Sequence, residues 1–264
     1  MKITALSSYC VDIFPELDKV YVGGNSLNFV SQCKLSGTTN VSSMGAVGND
    51  QFGSLIEKYL DRLEIDRSHL YRMDFPTASN TIYISKQGDR YFKAHSWNGG
   101  AFDKFRLSNK DWDYLKTRDI IAIPAGDPNL KDMLRKRNAN QLVVVDFLDY
   151  HSLDFINNLI DRIDITFLSA SEKMLNGLEN LASKSRKLIV ATMGANGSVA
   201  YYKFKKYFQN AVKVDNIVDT TGCGDAFQAA FVIEWYKSQN IDLALQAGSI
   251  AASNVLKFVG GVNS

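Results

Sequence analysis

Cysteine is scarce in this sequence: Cys10, Cys33 and Cys223 are the only three. An odd number without close spacing gives no disulfide framework and no zinc cage, and it points to a reducing cytoplasm. An excess of one charge is missing too. The 30 basic residues against 28 acidic ones leave a net charge of +2. Electrostatics therefore makes no general case for nucleic acid or for an anionic membrane. No stretch approaches the roughly 18 uninterrupted apolar residues of a membrane span. The opening MKITALSSYCVDIF has one lysine but no long apolar segment and no small-residue cleavage site, so no signal peptide is expected. The phosphate-binding pattern G-x-x-x-x-G-K-[ST] occurs nowhere. Internal repeats, low-complexity tracts and long linkers are absent as well.

What is present reads as an ordinary globular chain, 45% hydrophobic and 22% charged. Its 264 residues suit one domain, 1–264, with a sizeable core. Short apolar runs mark strands at Ile3–Ser7, Val41–Val47, Ile120–Ala125, Leu142–Phe147, Ile163–Leu168 and Leu188–Thr192. Near-continuous apolar runs suit strands covered on both faces. Between them, Gly53–Leu63 and His151–Ile160 carry helical spacing. Strand-then-helix alternation predicts an α/β fold with a mostly parallel sheet between helices. Two stretches break the rhythm. Residues 12–22 alternate loosely, and Ala78–His95 reads as a hairpin around a KQGD turn. Segments of about 12–22 and 76–98 are thus expected to form a small lid or edge sheet. The run Lys203-Phe204-Lys205-Lys206 is too short for a nucleic-acid patch and reads as a solvated strand face.

The most informative segment lies near the C-terminus. Val212–Val218 is strand-like, Asp219-Thr220-Thr221-Gly222-Cys223-Gly224-Asp225 follows, and Ala226–Lys237 has helical character. A glycine turn that opens a helix presents free N–H groups and a positive dipole end to an anion. Gly222 and Gly224 let backbone come close to an oxyanion. An aspartate beside that site is what phosphoryl transfer requires: donors for the developing charge and a carboxylate for the proton of the attacking hydroxyl. The same spacing also describes an ordinary helix cap on a glycine turn.

The string DTTGCGDAFQAAF resembles the C-terminal signature of the PfkB, or ribokinase-like, carbohydrate kinases. Gly23-Gly24-Asn25-Ser26-Leu27-Asn28 resembles the family's N-terminal GG-x-x-x-N element, and Thr192 to Ser198 resembles its T-x-G-x-x-G nucleotide loop. The three occur in family order, and the likeness spans essentially the whole chain. Within the family, Cys10-Val11-Asp12-Ile13-Phe14-Pro15, the following GGNSLN, the short length and Asp89-Arg90 resemble the fructoselysine kinases.

The resemblance implies a three-layer α/β/α core with a small β lid, ATP and Mg²⁺ as cofactors, and phosphorylation of a sugar hydroxyl in the cytoplasm. It makes Asp225 the base and the backbone of Gly222, Cys223 and Gly224 the anion hole. A thiol at a helix start can have a lowered pKa, but Cys223 is expected to serve packing. Asp12, Gly24 and Asn28 match sugar-binding positions. Thr192, Gly194 and Gly197 match the ATP loop, and Asn254, in the helical segment Ala244–Lys257, matches the adenine pocket. Ser169-Ala170-Ser171-Glu172 lines up with an N-x-x-E element that organises Mg²⁺ through water, with Ser169 in place of the asparagine. Asp219 and Thr221 match positions that hold a monovalent cation such as K⁺. The lid is expected to carry specificity through Tyr83, Arg90, Tyr91, His95 and Trp97, with Arg90 a partner for a substrate carboxylate. Asp146 and Asp149 could face an ammonium group or form structural ion pairs. The expected acceptor is the 6-hydroxyl of fructoselysine or a related fructosamine. A nucleoside or hydroxymethyl-pyrimidine acceptor would draw on Tyr9, Phe14 and Trp97. A non-catalytic sugar- or nucleotide-binding protein would lack Asp225 or its glycines, which are intact. A homodimer through the lid is expected, since an exposed strand edge invites pairing.

Overall fold

The structure, a computed structural model, describes residues 1–84, 90–148, 152–257 and 260–262, with Ile84 and Arg90 as backbone only. Its strands are β1 (Lys2–Leu6), β2 (Cys10–Phe14), β3 (Lys19–Gly23), β4 (Asn40–Gly48), β5 (Asp66–Met73), β6 (Ala78–Thr81), β7 (Tyr83–Ile84), β8 (Arg90–Tyr91), β9 (Trp97–Asn98), β10 (Ile120–Pro124), β11 (Leu142–Asp146), β12 (Ile165–Ser169), β13 (Leu188–Thr192), β14 (Ser198–Tyr202) and β15 (Lys205–Gln209). Its helices are α1 (Asn25–Leu35), α2 (Gln51–Arg62), α3 (Gly100–Lys104), α4 (Asn109–Leu115), α5 (Leu130–Lys136), α6 (Leu153–Asn157), α7 (Leu175–Lys184), α8 (Cys223–Ser238) and α9 (Ile241–Val255).

Nine strands form the main sheet in the order β15-β14-β13-β12-β11-β10-β1-β4-β5. The pairings from β5 across to β13 are parallel, and only β14 and β15 run antiparallel. Successive strand residues feed opposite faces. Ile120, Ala122, Val144, Ile165, Phe167, Leu188 and Val190 join the core that contains α1, α2, α8 and α9. Ile121, Ile123, Val143, Val145, Leu168, Ile189 and Ala191 join the core under α5, α6 and α7. That two-sided demand is why these strands read as unbroken apolar runs. Each fully buried Ile, Val or Phe contributes about 1.5–3 kcal/mol.

A second sheet, ordered β3-β2-β6-β9, stands beside the main one. Its outer pairings are antiparallel, and β2 and β6 run parallel. The expected hairpin resolves into two pairings, β7 with β8 and β6 with β9. Residues 86–89 of its turn lie outside the described residues.

Some expectations need correction. Val212–Val218 forms no strand. Val212, Ile217 and Val218 are 41%, 60% and 55% exposed, and the Val218 N–H bonds the Leu256 carbonyl instead of a strand partner. Apolar β-branched residues suited a strand there, but composition alone does not bring the segment to the open edge of β15. The second predicted helix is shorter, Leu153–Asn157, with a separate 3-10 turn at Ile160–Arg162. His151 lies outside the described residues. Lys203 and Phe204 are a two-residue hairpin turn with φ of +49° and +66°, and β15 begins only at Lys205. Among the described residues no helix is long and apolar enough to cross a membrane.

Candidate active site

The main-sheet strands end where α1 and α8 begin, and the site is assembled there. Gly24 caps α1 with φ +101°, and a Cβ on it would run into the Ser8 carbonyl. Only glycine takes that conformation in that space. The Leu27 N–H bonds Ser8 O at 3.3 Å, and the Ser26 hydroxyl donates to Leu6 O. The start of α1 is thereby fastened to the end of β1. Asn25 and Asn28, one turn apart, point the same way.

Opposite, Gly222 caps α8 at φ +75°. A side chain there would strike Gly261, while one on Gly224 would meet nothing within 4 Å. The helix start is open to an anion on the Gly224 side, and its first-turn N–H groups have no partner inside the helix. Asp225 follows in this first turn and is 7% exposed. Its two oxygens are held separately. Asn28 Nδ2 donates to Oδ2 at 2.8 Å. Asn25 Nδ2 donates to Oδ1 at 3.2 Å and also reaches Asp146 Oδ2 at 3.3 Å. Burial pushes the Asp225 carboxyl up to about 7, the nearby Asp146 and Asp12 push the same way, and the two amides pull it back. A carboxylate with that pKa is matched to proton abstraction near neutrality.

A cavity of about 160 Å³ adjoins Asp225. Asn25, Asp146, Ser169, Thr192, Gly224 and Gln228 supply its polar wall. Thr192 ends β13, and the turn after it closes through Met193 N–H to Gly197 O at 2.8 Å. Gly194 and Gly197 take φ of +56° and +86° there. The cavity thus joins the carboxylate to the edge of the nucleotide-type loop. Glu172 does not line it. That residue is exposed at the start of a 3-10 turn, with Asn196 Nδ2 at 3.5 Å. Asn254 is exposed on α9 and is not part of the wall either.

The second sheet turns one face toward Asp225. Its register sets Tyr21, Asp12, Asn80 and Trp97 side by side across four strands. Asp12 is 8% exposed and lies over Gly23, where a Cβ would sit 2.6 Å from its Oδ2. Tyr83 and Tyr91 stack at 5.7 Å on the separate β7–β8 ribbon, and His95 is exposed with φ +64°. They do not line the cavity beside Asp225. The backbone of Arg90 pairs with Ile84. Its side chain lies outside the described residues, as do Asp89 and Asp149.

Burial pushes the Cys223 thiol up to about 12, with Asp219 and Asp225 adding to the rise. Asp219 accepts the Thr221 N–H at 2.8 Å and the Gly260 N–H at 2.7 Å. It ties the C-terminal segment to the turn before α8. Asn25 and Gln228 line the cavity beside Asp225, and sequence reasoning singled out neither. Only Asn25 carried a signal, its one-turn spacing from Asn28.

A family model described as pfkB family carbohydrate kinase matches residues 16–264. Fructoselysine 6-kinase of Escherichia coli strain K12 is 25% identical over 261 residues, covering 98% of each chain. A nucleoside kinase of Methanocaldococcus jannaschii is 28% identical over 251 residues, 91% of this chain and 80% of that one. The solved structure of Arabidopsis thaliana ribokinase complexed with ribose and ATP superposes with a TM-score of 0.83 at 20% identity, covering 98% of this chain and 93% of that one. By their names these three proteins act on different acceptors, so the similarity carries the family and the fold further than the acceptor. With a buried carboxylate at the glycine-capped helix start and a family match over nearly all its length, the chain belongs to the pfkB family of carbohydrate kinases and is a sugar kinase of the ribokinase fold.

Proposed function

We propose that this kinase moves the γ-phosphoryl group of ATP to a primary hydroxyl, the 6-hydroxyl of fructoselysine or a related fructosamine. The observation that carries the mechanism is Asp225, buried, held at both oxygens and facing a cavity that reaches Thr192. In this reading the acceptor hydroxyl donates to Asp225, which takes its proton as the oxygen attacks. The open start of α8 at Gly222, Cys223 and Gly224 receives the charge that develops on the phosphoryl oxygens. Thr192, Gly194 and Gly197 serve the nucleotide phosphates, and Asn254 serves the adenine. Asp12, Gly24 and Asn28 receive the sugar. Asn28 Oδ1 is buried without a hydrogen-bond partner, which suits a hydroxyl donor from a polyol.

Mg²⁺ would neutralise phosphate charge here. Glu172, exposed and outside the cavity wall, fits an ion that keeps most of its waters. A K⁺ ion fits less well. Among the described residues Asp219 faces two N–H donors, an arrangement for a structural tie, and no step is routed through a cation.

Fructoselysine is favoured over a nucleoside by two aromatic side chains. Of the three aromatic residues a nucleobase pocket would draw on, Tyr9 and Phe14 are 0% and 1% exposed, while Trp97 is 43% exposed. The similarity to the E. coli enzyme supports the same choice. The reading places the protein in the cytoplasm, where ATP is, as a homodimer through the second sheet, which sedimentation would test. An ATP-coupled assay with fructoselysine, other fructosamines, fructose, ribose and nucleosides decides the acceptor. Fructoselysine should turn over fastest, and faster turnover of plain fructose, ribose or a nucleoside would refute the assignment.

A further inference from the structure

The C-terminal segment comes back over the catalytic centre. Val262 is 1% exposed and belongs to the main core, and Gly260 is tied to Asp219. Between them Gly261 lies directly beneath the amide of Asn28. A Cβ on Gly261 would sit 2.5 Å from Asn28 Nδ2, 2.8 Å from Cγ and 2.9 Å from Oδ1. The whole amide plane therefore rests on a bare Cα. Gly261 is not among the glycines with positive φ, so its backbone conformation does not require glycine. The space does.

Asn28 needs that support. Its nitrogen bonds Asp225, but its buried oxygen has no hydrogen-bond partner. Nothing on the oxygen side fixes which way the amide faces. Turned over, it would aim its oxygen at the carboxylate, two acceptors in contact. We propose that Gly261 is a positioning residue for the catalytic base: by lacking a side chain it leaves the Asn28 amide room to lie within hydrogen-bond reach of Asp225. The C-terminal segment thereby becomes part of the active site, acting through Asn28. This rests on Asp225 being the base.

The pH dependence gives a readout that a merely structural role would not move. The groups that face Asp225 are Asp12 and Cys10 on β2, Asp146 on β11, and Cys223 on its own helix. None of them changes in a Gly261 variant. Loss of the Asn28 donor alone raises the carboxyl, since that bond favours its ionised form. The base then ionises at higher pH, and the acidic limb of the rate profile moves up.

The experiment compares Gly261→Ala, Val262→Ala, Asn28→Ala, Asn28→Ala/Gly261→Ala and Asp225→Asn in the full chain, with ATP and the fastest acceptor of the panel. Gly261→Ala should lower kcat about tenfold or more and move the acidic limb upward, as expected when a base loses its orienting partner. Val262→Ala should lower the melting temperature and leave the limb in place. In the Asn28→Ala background, Gly261→Ala should cost nothing further, because residues acting through one contact are not additive. If Gly261→Ala alone does not fold, the double variant should fold, since the obstructed side chain is gone. An unmoved limb in Gly261→Ala, the same shift in Val262→Ala, or an additive or unfolded double variant would overturn the inference. An active Asp225→Asn enzyme would instead refute the underlying mechanism.

Discussion

Replacing the base with its uncharged isostere should make the protein more stable while it kills the reaction. Asp225 has an ordinary pKa of 3.8 in the unfolded chain and about 7 in the fold, burial being the largest cause. Between those values the folded state holds a proton that the unfolded state lacks. Stability therefore falls as pH rises from about 4 to about 7 and stays low above it. A shift of roughly 3 units at about 1.36 kcal/mol each amounts to about 4 kcal/mol at alkaline pH. Asp225→Asn removes that penalty. It also sets its own amide hydrogens against one of the two asparagine donors, which costs about 1–2 kcal/mol. The net gain is about 2 kcal/mol, or a rise of about 4 °C or more in Tm for a chain of this size. Thermal melts of both proteins at pH 5 and pH 8.5 check it. The gain should be larger at pH 8.5. A variant no more stable than the parent at pH 8.5, or a gain independent of pH, would refute burial as the origin of the raised pKa.

Three further outcomes are expected. In the free enzyme kcat/KM should rise with pH through about 7 and then level off, because the base works only when ionised; a profile flat from pH 5.5 to 8.5 would count against it. Gly24→Ala should cost about 2 kcal/mol or more in denaturant melts, since its φ of +101° and the Ser8 carbonyl both exclude a side chain. Phe204→Gly should stabilise by about 0.5–1 kcal/mol in the same assay, by relieving a left-handed residue that is 65% exposed in the β14–β15 turn.

The parts of the fold that were legible in the sequence are those set by local pattern. Leu188–Thr192 is a strand with the bounds its apolar run predicts, because two cores claim its alternate residues. The catalytic segment was legible because glycine, aspartate and spacing all act within one turn of backbone. What stayed hidden depends on distant meetings. Val212–Val218 has strand composition, yet it lies exposed and its Val218 N–H bonds the Leu256 carbonyl. Gly261 looks like a loose tail residue until the fold brings it under Asn28. The sequence favoured packing for Cys223 at its helix start but hid the physical reason, which is burial beside Asp219 and Asp225 opposing the dipole. Asp146 could be read as an ammonium partner. The fold sets it one amide away from the base, which no sequence spacing encodes.

The central claim is that Asp225 takes the proton in ATP-dependent phosphoryl transfer. The most direct measurement is the turnover rate of Asp225→Asn beside its ATP affinity by calorimetry on the same preparation. The account predicts a kcat lower by about three orders of magnitude or more, the upper part of the range for a general base, with ATP binding preserved. A variant that turns over at close to the parent rate would contradict it.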